Sequence, residues 1–305
     1  ERKILDAYVQ YPDYSYLRLA SKINVADTTV RYNFRQLQRK ISLTVQSAVD
    51  LGRLKLRHFI VFFRVPSQIP RDDLAHYLEC PYRISITSGF FGELANQGYW
   101  AWASFWIPDQ ERALSIFKRE ILSLKPWFHE LTYYEVQSKT TGVNLTFFDN
   151  RQWFFDENVF AQGLLEFARE WGHTFPPIKE FSYHYTPTQF DRIDYLLCMD
   201  LTRSYRSPLS DLQQTLQYYG YKLSKSGISM RLKRLREEQL FQPSVAFRGL
   251  GLPNFLTYLI ECDAETRELL ALAISQFPQY FISILDDGIL LAISLPDGAL
   301  SQFLF

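Results

Sequence analysis

The sequence predicts an α+β fold in which one structural unit occurs twice along the chain. Residues 28–37 and 226–235 place their apolar side chains alike at an offset of 198, and residues 82–86 and 280–284 match at the same offset. In both units the hydrophobic period then changes from helical to strand-like. With 305 residues, 47% of them apolar and 22% charged, the chain is large enough for several cores. We therefore expect a duplicated unit, with helices first and a sheet after them.

Three short helices are predicted at the start of the first unit. Ile4, Leu5 and Tyr8 form the apolar stripe of the first helix. Ser15 is a suitable N-cap for the second helix, and Asp27 is one for the third. The helical spacing of apolar residues gives the third helix one buried face. The side chains expected on that face are Val30, Phe34, Leu37 and Ile41.

Apolar residues alternate over 43–49 and predict a hairpin wing after the third helix. Three short helices and a wing describe a winged helix-turn-helix domain, which we assign to residues 1–50. The second unit repeats this plan over residues 186–248, with a third helix capped by Ser224 or Ser226. The turn before that helix is longer than in the first unit.

Each winged helix is followed by a predicted sheet domain. Residues 51–137 follow the order β-α-β-β-α-β, which is the ferredoxin-like order. Residues 249–305 begin the same order, and we expect this second domain to be truncated. The fold class is therefore α+β, with two winged helix-turn-helix domains alternating with two ferredoxin-like (β-α-β-β-α-β) domains. The aromatic-rich residues 138–185 predict an insert or linker that packs as a lid or spacer, or alternatively an aromatic ligand cage.

The charges of the chain are unevenly distributed. The 33 basic and 33 acidic residues balance overall, but residues 1–60 hold 11 Lys or Arg against 5 Asp or Glu. Residues 203–248 hold 9 against 3. Such basic islands suit phosphate binding, whereas a solvated surface helix usually mixes both signs. Residues 28–40 carry four basic side chains and no acidic one, which favours DNA contact over protein contact.

We expect both third helices to enter the major groove of double-stranded DNA. Arginine can pair with guanine through two hydrogen bonds, and threonine can contact a phosphate or a thymine methyl group. Lysines near the helices suit the phosphate backbone. The side chains predicted to contact DNA are Lys22, Thr28, Thr29, Arg31, Tyr32, Arg35, Arg39 and Lys40 in the first unit, and Lys225, Ser229, Arg231, Lys233, Arg234 and Arg248 in the second.

Short apolar motifs and a Leu-Gly pair occupy matching places in the two units. They are Lys3-Ile4-Leu5, Leu19-Ala20, Thr29-Val30 with Leu37, and Leu51-Gly52, then Leu196-Leu197, Leu212, Ile228 with Leu235, and Leu250-Gly251. This arrangement resembles the Lrp/AsnC (feast/famine) transcription regulators, as a tandem duplication in one chain. The resemblance implies RAM-like domains, a pseudo-dimer, further self-association through the ferredoxin-like sheets, and a small-molecule effector such as an amino acid. The residues that it suggests for the effector are Gly89, Gly92, Asp287 and Gly288.

Catalytic and cofactor motifs are not found in the sequence. GxxxxGK[ST], GxGxxG, HExxH and GxSxG do not occur, so we expect a protein that is not an enzyme and has no cofactor or metal. The same architecture also resembles the sirohaem decarboxylases, in which case Arg57 and His58 would help to hold a polycarboxylate tetrapyrrole. A third hypothesis is a protein-interaction platform on the transcription machinery. The exposed basic helices favour the DNA-binding hypothesis, because a tetrapyrrole pocket does not need them.

Cysteine usage and hydropathy bear on the compartment. Cys80, Cys198 and Cys262 lie far apart without CxxC spacing, which fits a reducing compartment. No apolar run approaches the ~18 residues that a membrane-spanning helix needs. The sequence therefore predicts a cytoplasmic protein without a membrane partner.

Overall fold

The structure is a computed structural model that describes most of the chain. The described residues are 2–41, 43–70, 73–78, 82–89, 98–148, 152–171, 189–246 and 252–299. Within them the helices are α1 (Arg2–Gln10), α2 (Tyr16–Ile23), α3 (Asp27–Ile41), α4 (Leu74–Tyr77), α5 (Glu111–Ser123), α6 (Glu157–Trp171), α7 (Arg192–Leu201), α8 (Leu209–Tyr218), α9 (Lys225–Glu237) and α10 (Ala264–Ile274). The strands there are β1 (Thr44–Val49), β2 (Leu56–Val65), β3 (Arg83–Gly89), β4 (Tyr99–Pro108), β5 (Glu130–Val143), β6 (Phe241–Ala246), β7 (Asn254–Glu261), β8 (Gln279–Leu285) and β9 (Gly288–Leu295). The fold is α+β with antiparallel sheets.

Helices α1, α2 and α3 form a first bundle. Its centre is the contact between Tyr8 and Phe34, whose ring centroids lie 4.6 Å apart. The predicted cap of α2 is confirmed, because the Oγ of Ser15 accepts the backbone N–H of Arg18 at 3.3 Å. Asp27 differs from the prediction: it is the first residue of α3 rather than its N-cap. Its carboxylate instead accepts a hydrogen bond from the Nε of Arg31, one turn along the helix.

Helices α7, α8 and α9 form a second bundle. Asp191 caps α7 through a capping box, in which its carboxylate accepts the Asp194 N–H at 2.9 Å and the Asp194 carboxylate accepts the Asp191 N–H at 3.3 Å. Ser224 caps α9 by accepting the Gly227 N–H at 3.1 Å. Of the two serines proposed from the sequence, Ser224 is therefore the cap.

The strand after α3 does not form the predicted local hairpin wing in the part of the chain that the structure describes. β1 pairs instead with β6, which follows the second bundle, in antiparallel register from Thr44 opposite Ala246 to Val49 opposite Phe241. An alternating sequence indicates a strand with one buried face, but it carries no information on the partner. This two-stranded sheet joins the ends of the two bundles.

The other strands form one seven-stranded sheet in the order β3-β4-β2-β5-β8-β9-β7. β5 connects its halves, because residues 130–136 pair with β2 and residues 136–143 pair with β8. The sequence predicted that this strand ends at residue 137. It continues to Val143 because β8 provides a second hydrogen-bonding partner beyond the end of β2. The predicted insert thus begins inside a sheet strand.

The two faces of the sheet are packed differently around β2. Phe59 faces α5 and lies 5.0 Å from the ring of Phe117. Ile60 and Phe62 lie in another cluster with Tyr134 of β5. Side chains alternate along a strand, so His58 lies on the same face as Ile60.

Candidate nucleic-acid interface

The exposed face of α3 carries polar and basic side chains. The buried face holds Val30, Phe34, Leu37 and Ile41, as the sequence predicts. Because those residues fix the rotation of the helix, the side chains between them face outward. Tyr32 is 63% exposed in the middle of this surface. All the other side chains predicted to contact DNA in this unit are exposed too, namely Lys22, Thr28, Thr29, Arg31, Arg35, Arg39 and Lys40.

Arg31 is positioned at the start of this face. Its Nε lies 3.0 Å from Oδ2 of Asp27, one turn earlier, and its guanidinium lies 5.3 Å from the ring centre of Tyr16. The arginine side chain is nevertheless 55% exposed. An exposed ion pair of this kind contributes only about 0–1 kcal/mol, so a phosphate or guanine can replace the aspartate at little cost.

Helix α9 of the second bundle offers a smaller cationic surface. Lys225, Ser229 and Lys233 are exposed, and Lys233 forms a loose surface pair with Glu237 at 3.7 Å. Met230 lies between them and is 72% exposed. A methionine at the centre of a groove-binding surface could meet a thymine methyl group but could not replace a hydrogen-bond donor.

Arg231 and Arg234 lie where the sequence did not place them. Both were expected on the exposed side of α9, but they point toward α7. Arg231 Nη1 lies 2.8 Å from Asp194 Oδ1, and Arg234 Nη2 lies 2.5 Å from Asp194 Oδ2. The Asp194 side chain is only 1% exposed. DNA contact by these arginines would therefore compete with an internal ion-pair network.

Asp191 completes this network at its solvent side. Its Oδ2 lies 2.9 Å from Arg231 Nη1, and its side chain is 51% exposed. Partial burial alone would raise the pKa of Asp191, but hydrogen bonds from the backbone of Asp194 and from Arg231 outweigh that effect and lower it. The carboxylate is thus charged at neutral pH and holds Arg231 from the outside.

The two bundles are also joined through Arg206. Its Nη2 donates to the backbone oxygen of Tyr14 at 2.7 Å, in the turn between α1 and α2. The guanidinium lies 5.5 Å from the ring centre of Tyr8, 5.3 Å from that of Tyr16 and 5.6 Å from that of Phe34. One arginine from the second unit thus enters the aromatic core of the first bundle.

The residues suggested for an effector are not brought together. Gly89 ends β3, whereas Asp287 and Gly288 form the turn from β8 into β9, so three strands of the sheet separate them. Packing explains the glycine at position 288, because a Cβ there would lie 2.3 Å from the backbone oxygen of Ile260. Gly92 and Arg248 lie outside the described residues.

Arg57 and His58 lie on β2, an interior strand of the sheet between β4 and β5. Arg57 is held by Glu135 through two hydrogen bonds, one of which is 2.6 Å from Nε to Oε1. That hydrogen bonding is the chief reason why the pKa of Arg57 is raised. His58 is 8% exposed, and its Nε2 lies 2.7 Å from the Oγ of Ser104. His58 is therefore buried in the sheet, whereas the Arg57 side chain remains 37% exposed beside Glu135.

Replacing His58 is expected to change the acid stability of the chain. Burial, followed by the charge of Lys139, lowers the pKa of His58 to about 3 from its usual 6.5. The unfolded chain therefore binds more protons between those pH values, so the stability present above pH 6.5 is lost as the pH falls toward 3. Urea unfolding of a His58→Gln variant should show a weaker loss of stability over this range.

The exposed His129 provides the control for this experiment. His129→Gln should leave the acid dependence of unfolding close to that of the wild type. An unchanged acid dependence in His58→Gln would contradict the burial of a neutral imidazole.

Several residues of these surfaces were not singled out from the sequence. Arg206 contacts residues that are distant along the chain, and Arg192 contacts the distant Tyr82 as well as Tyr195, three residues later. Tyr218 (84% exposed) and Met230 are apolar positions that helical spacing alone could have placed outside the core. Of these four residues, only Tyr218 and Met230 could have been identified from the spacing of apolar residues in the sequence.

No protein-family model and no curated protein matches the chain. Among solved structures it is similar to the siroheme decarboxylase NirDL in complex with an iron-uroporphyrin III analogue, at 12% identity and a TM-score of 0.49, over 99% of this chain and 84% of that one. It is similar to an AsnC family transcriptional regulator from Agrobacterium tumefaciens at 12% identity and a TM-score of 0.33, over 48% and 96%. E. coli AsnC is similar at 14% identity and a TM-score of 0.31, over 44% and 88%.

Among the described residues, none of the helices has the length and apolar character required to span a bilayer.

Proposed function

We propose that this chain is a cytoplasmic, sequence-specific DNA-binding transcription regulator without catalytic activity of its own. The observation that carries the proposal is the outer face of α3, where threonine, tyrosine and arginine side chains are exposed together and residues 28–40 contain no acidic residue. This is the set of donors and apolar contacts that base edges and phosphates require. Self-association through the sheets and regulation by a small molecule, such as an amino acid, belong to the same proposal.

The two bundles have unequal roles in this proposal. The first bundle supplies base recognition through Arg31 and Arg35, which lie one turn apart on the exposed face. The second bundle supplies Lys225 and Lys233 for the phosphate backbone. Arg231 and Arg234 are occupied by the α7 carboxylates, and we assign them a supporting role in the second bundle rather than a primary DNA contact.

Replacing Arg31 and Arg35 together by alanine is expected to abolish sequence-specific binding. Each base-contacting arginine should contribute about 1–3 kcal/mol of binding free energy. The measurement is a titration of the purified chain against fragments of its own genome at two or three salt concentrations. Wild-type binding should be selective and should weaken steeply with salt, because phosphate contacts release counterions. Lys22→Ala should instead weaken all sequences alike and flatten the salt dependence.

Arg119→Ala is the matched control, since this arginine lies on α5 with its side chain 72% exposed. It should bind DNA as the wild type does. Absence of binding by the wild type even at low salt would overturn the proposal. Titrations with a tetrapyrrole, followed by absorbance, would then test the decarboxylase hypothesis. Salt-insensitive binding to a protein of the transcription machinery would support the interaction-platform hypothesis.

A further inference from the structure

A cleft of about 780 Å³ lies between the second bundle and the sheet of the first unit. One wall comes from α7 and α9, and the other from the segment between β1 and β2 together with Tyr82, just before β3. Small-molecule sites in proteins have volumes of roughly 300–1,000 Å³. The volume of this cleft lies within that range, which fits a small molecule.

The lining of the cleft carries an excess of positive charge. Four cations, Lys55, Arg192, Arg231 and Arg234, face two carboxylates. Both carboxylates are bound to Arg231 or Arg234 in the network of α7 and α9. Among the described residues, Arg192 and Lys55 form no ion pair with a carboxylate. Two cations thus remain available to an anion.

Aromatic rings flank one of these cations. The Arg192 guanidinium lies 5.2 Å from the ring centres of both Tyr82 and Tyr195. The two tyrosine rings meet edge to face with their centroids 5.9 Å apart, and Trp106 packs behind Tyr195 at 6.3 Å. Rigid aromatic walls favour a flat apolar body, whereas a guanidinium favours a carboxylate or phosphate. A ligand that suits both features of the cleft therefore combines an aromatic ring with a carboxylate or a phosphate.

We propose that this cleft binds a small organic anion with an aromatic ring, whose carboxylate or phosphate meets Arg192 and whose ring packs on the partly exposed Tyr82, which is itself in edge-to-face contact with the buried Tyr195. This site differs from the positions that the sequence suggested for an effector, since it includes none of Gly89, Asp287 and Gly288. The ligand joins the second bundle to the first sheet.

Ligand binding in this cleft also affects the position of helix α9. Arg231 belongs to that helix and reaches the cleft, where it is held by the half-exposed Asp191 on one side and by the buried Asp194 on the other. An anion that enters the cleft competes with Asp191 for Arg231 and changes how α9 is held against α7. This second step rests on the proposed DNA-binding function, whereas ligand binding itself does not.

Calorimetric titration of the full chain in the absence of DNA tests the site. The probes are 4-hydroxybenzoate as an aromatic carboxylate and AMP as a nucleoside monophosphate, with 4-hydroxybenzamide as an uncharged analogue. At least one anion should bind saturably at one site per chain, and the uncharged analogue should bind at least about tenfold more weakly. Preference for one anion identifies whether the ligand is a carboxylate or a phosphate.

Arg192→Gln should weaken binding of the preferred anion by about tenfold or more, and Tyr82→Leu should weaken it as well. Arg119→Gln changes an exposed side chain that does not line the cleft, so this variant should bind as the wild type does. Thermal unfolding of each variant shows whether it is folded. No saturable binding of either anion up to about 5 mM, or equal binding by Arg192→Gln and the wild type, would overturn the proposal.

The same variants separate this inference from the proposed function. If the chain binds DNA, the preferred anion should change its DNA affinity several-fold in the wild type but not in Arg192→Gln. Anion binding without any DNA binding would leave the site in place and contradict the regulator. DNA binding that is specific but unaffected by the anion would contradict only the coupling through Arg231.

Discussion

Replacing Asp194 with alanine is expected to lower the free energy of unfolding by about 3 kcal/mol. The side chain is 1% exposed and is bound to two arginines that retain partial exposure, 28% for Arg231 and 39% for Arg234. Removing the carboxylate leaves both guanidinium groups without their buried partner and also breaks the capping box of α7. Partial hydration of the arginines keeps the loss below that of a fully buried pair. Urea unfolding at pH 7 measures the effect.

Glu237→Ala is the matched control for Asp194→Ala. Glu237 pairs with Lys233 on the same helix as the two arginines, but both side chains are more than half exposed. Such a surface pair contributes at most about 0.5 kcal/mol. Asp194→Asn should fall between the two, because it keeps the shape and part of the hydrogen bonding. Equal stability of Asp194→Ala and Glu237→Ala would show that the buried network does not hold α9 to α7.

Replacing Arg206 with alanine is expected to destabilise the contact between the two bundles by about 2–3 kcal/mol. The variant loses two charged hydrogen bonds, to the backbone oxygens of Pro12 and Tyr14 at 3.3 and 2.7 Å. It also loses the stacking of the guanidinium among Tyr8, Tyr16 and Phe34. The first bundle should therefore become less protected in hydrogen exchange, and its tyrosines should become more accessible.

Two further variants show whether the geometry of Arg206 matters. Arg206→Lys keeps the charge but lacks the planar guanidinium that stacks among Tyr8, Tyr16 and Phe34, so it should recover only part of the loss. Arg203→Ala, three positions earlier and exposed, should behave as the wild type. If the chain binds DNA as proposed, the sites selected by the wild type should contain two contacted sequence elements at a fixed spacing. Arg206→Ala should relax that spacing. Unchanged hydrogen exchange in Arg206→Ala would contradict the role of this residue as an anchor.

Local patterns in the sequence predicted most helices and strands, because their causes are local. The apolar spacing of Val30, Phe34 and Leu37 determines which face of α3 is buried, and the hydroxyl groups of Ser15 and Ser224 mark where α2 and α9 begin. The exposed face of α3 follows from the same spacing. These features depend on residues within one or two helical turns of each other.

Pairing between distant segments could not be predicted in the same way. The alternation over 43–49 predicted β1 but suggested a local hairpin, whereas its partner β6 lies almost 200 residues later. The end predicted for β5 was wrong because β8, far along the chain, extends its pairing to Val143. Register and partner choice depend on which strands come together in space.

The sequence by itself determined the α+β composition, the start of α2 and the polar face of α3, since each depends on residues within one element. Only the tertiary structure decided which cations are available. The spacing of Arg231 and Arg234 along α9 would place both on its exposed surface, yet both form ion pairs with Asp194 from another helix. Arg206 likewise belongs to the first bundle only through packing. A charge reveals its role only when its partners are known, because Coulomb interactions act through space and not along the chain.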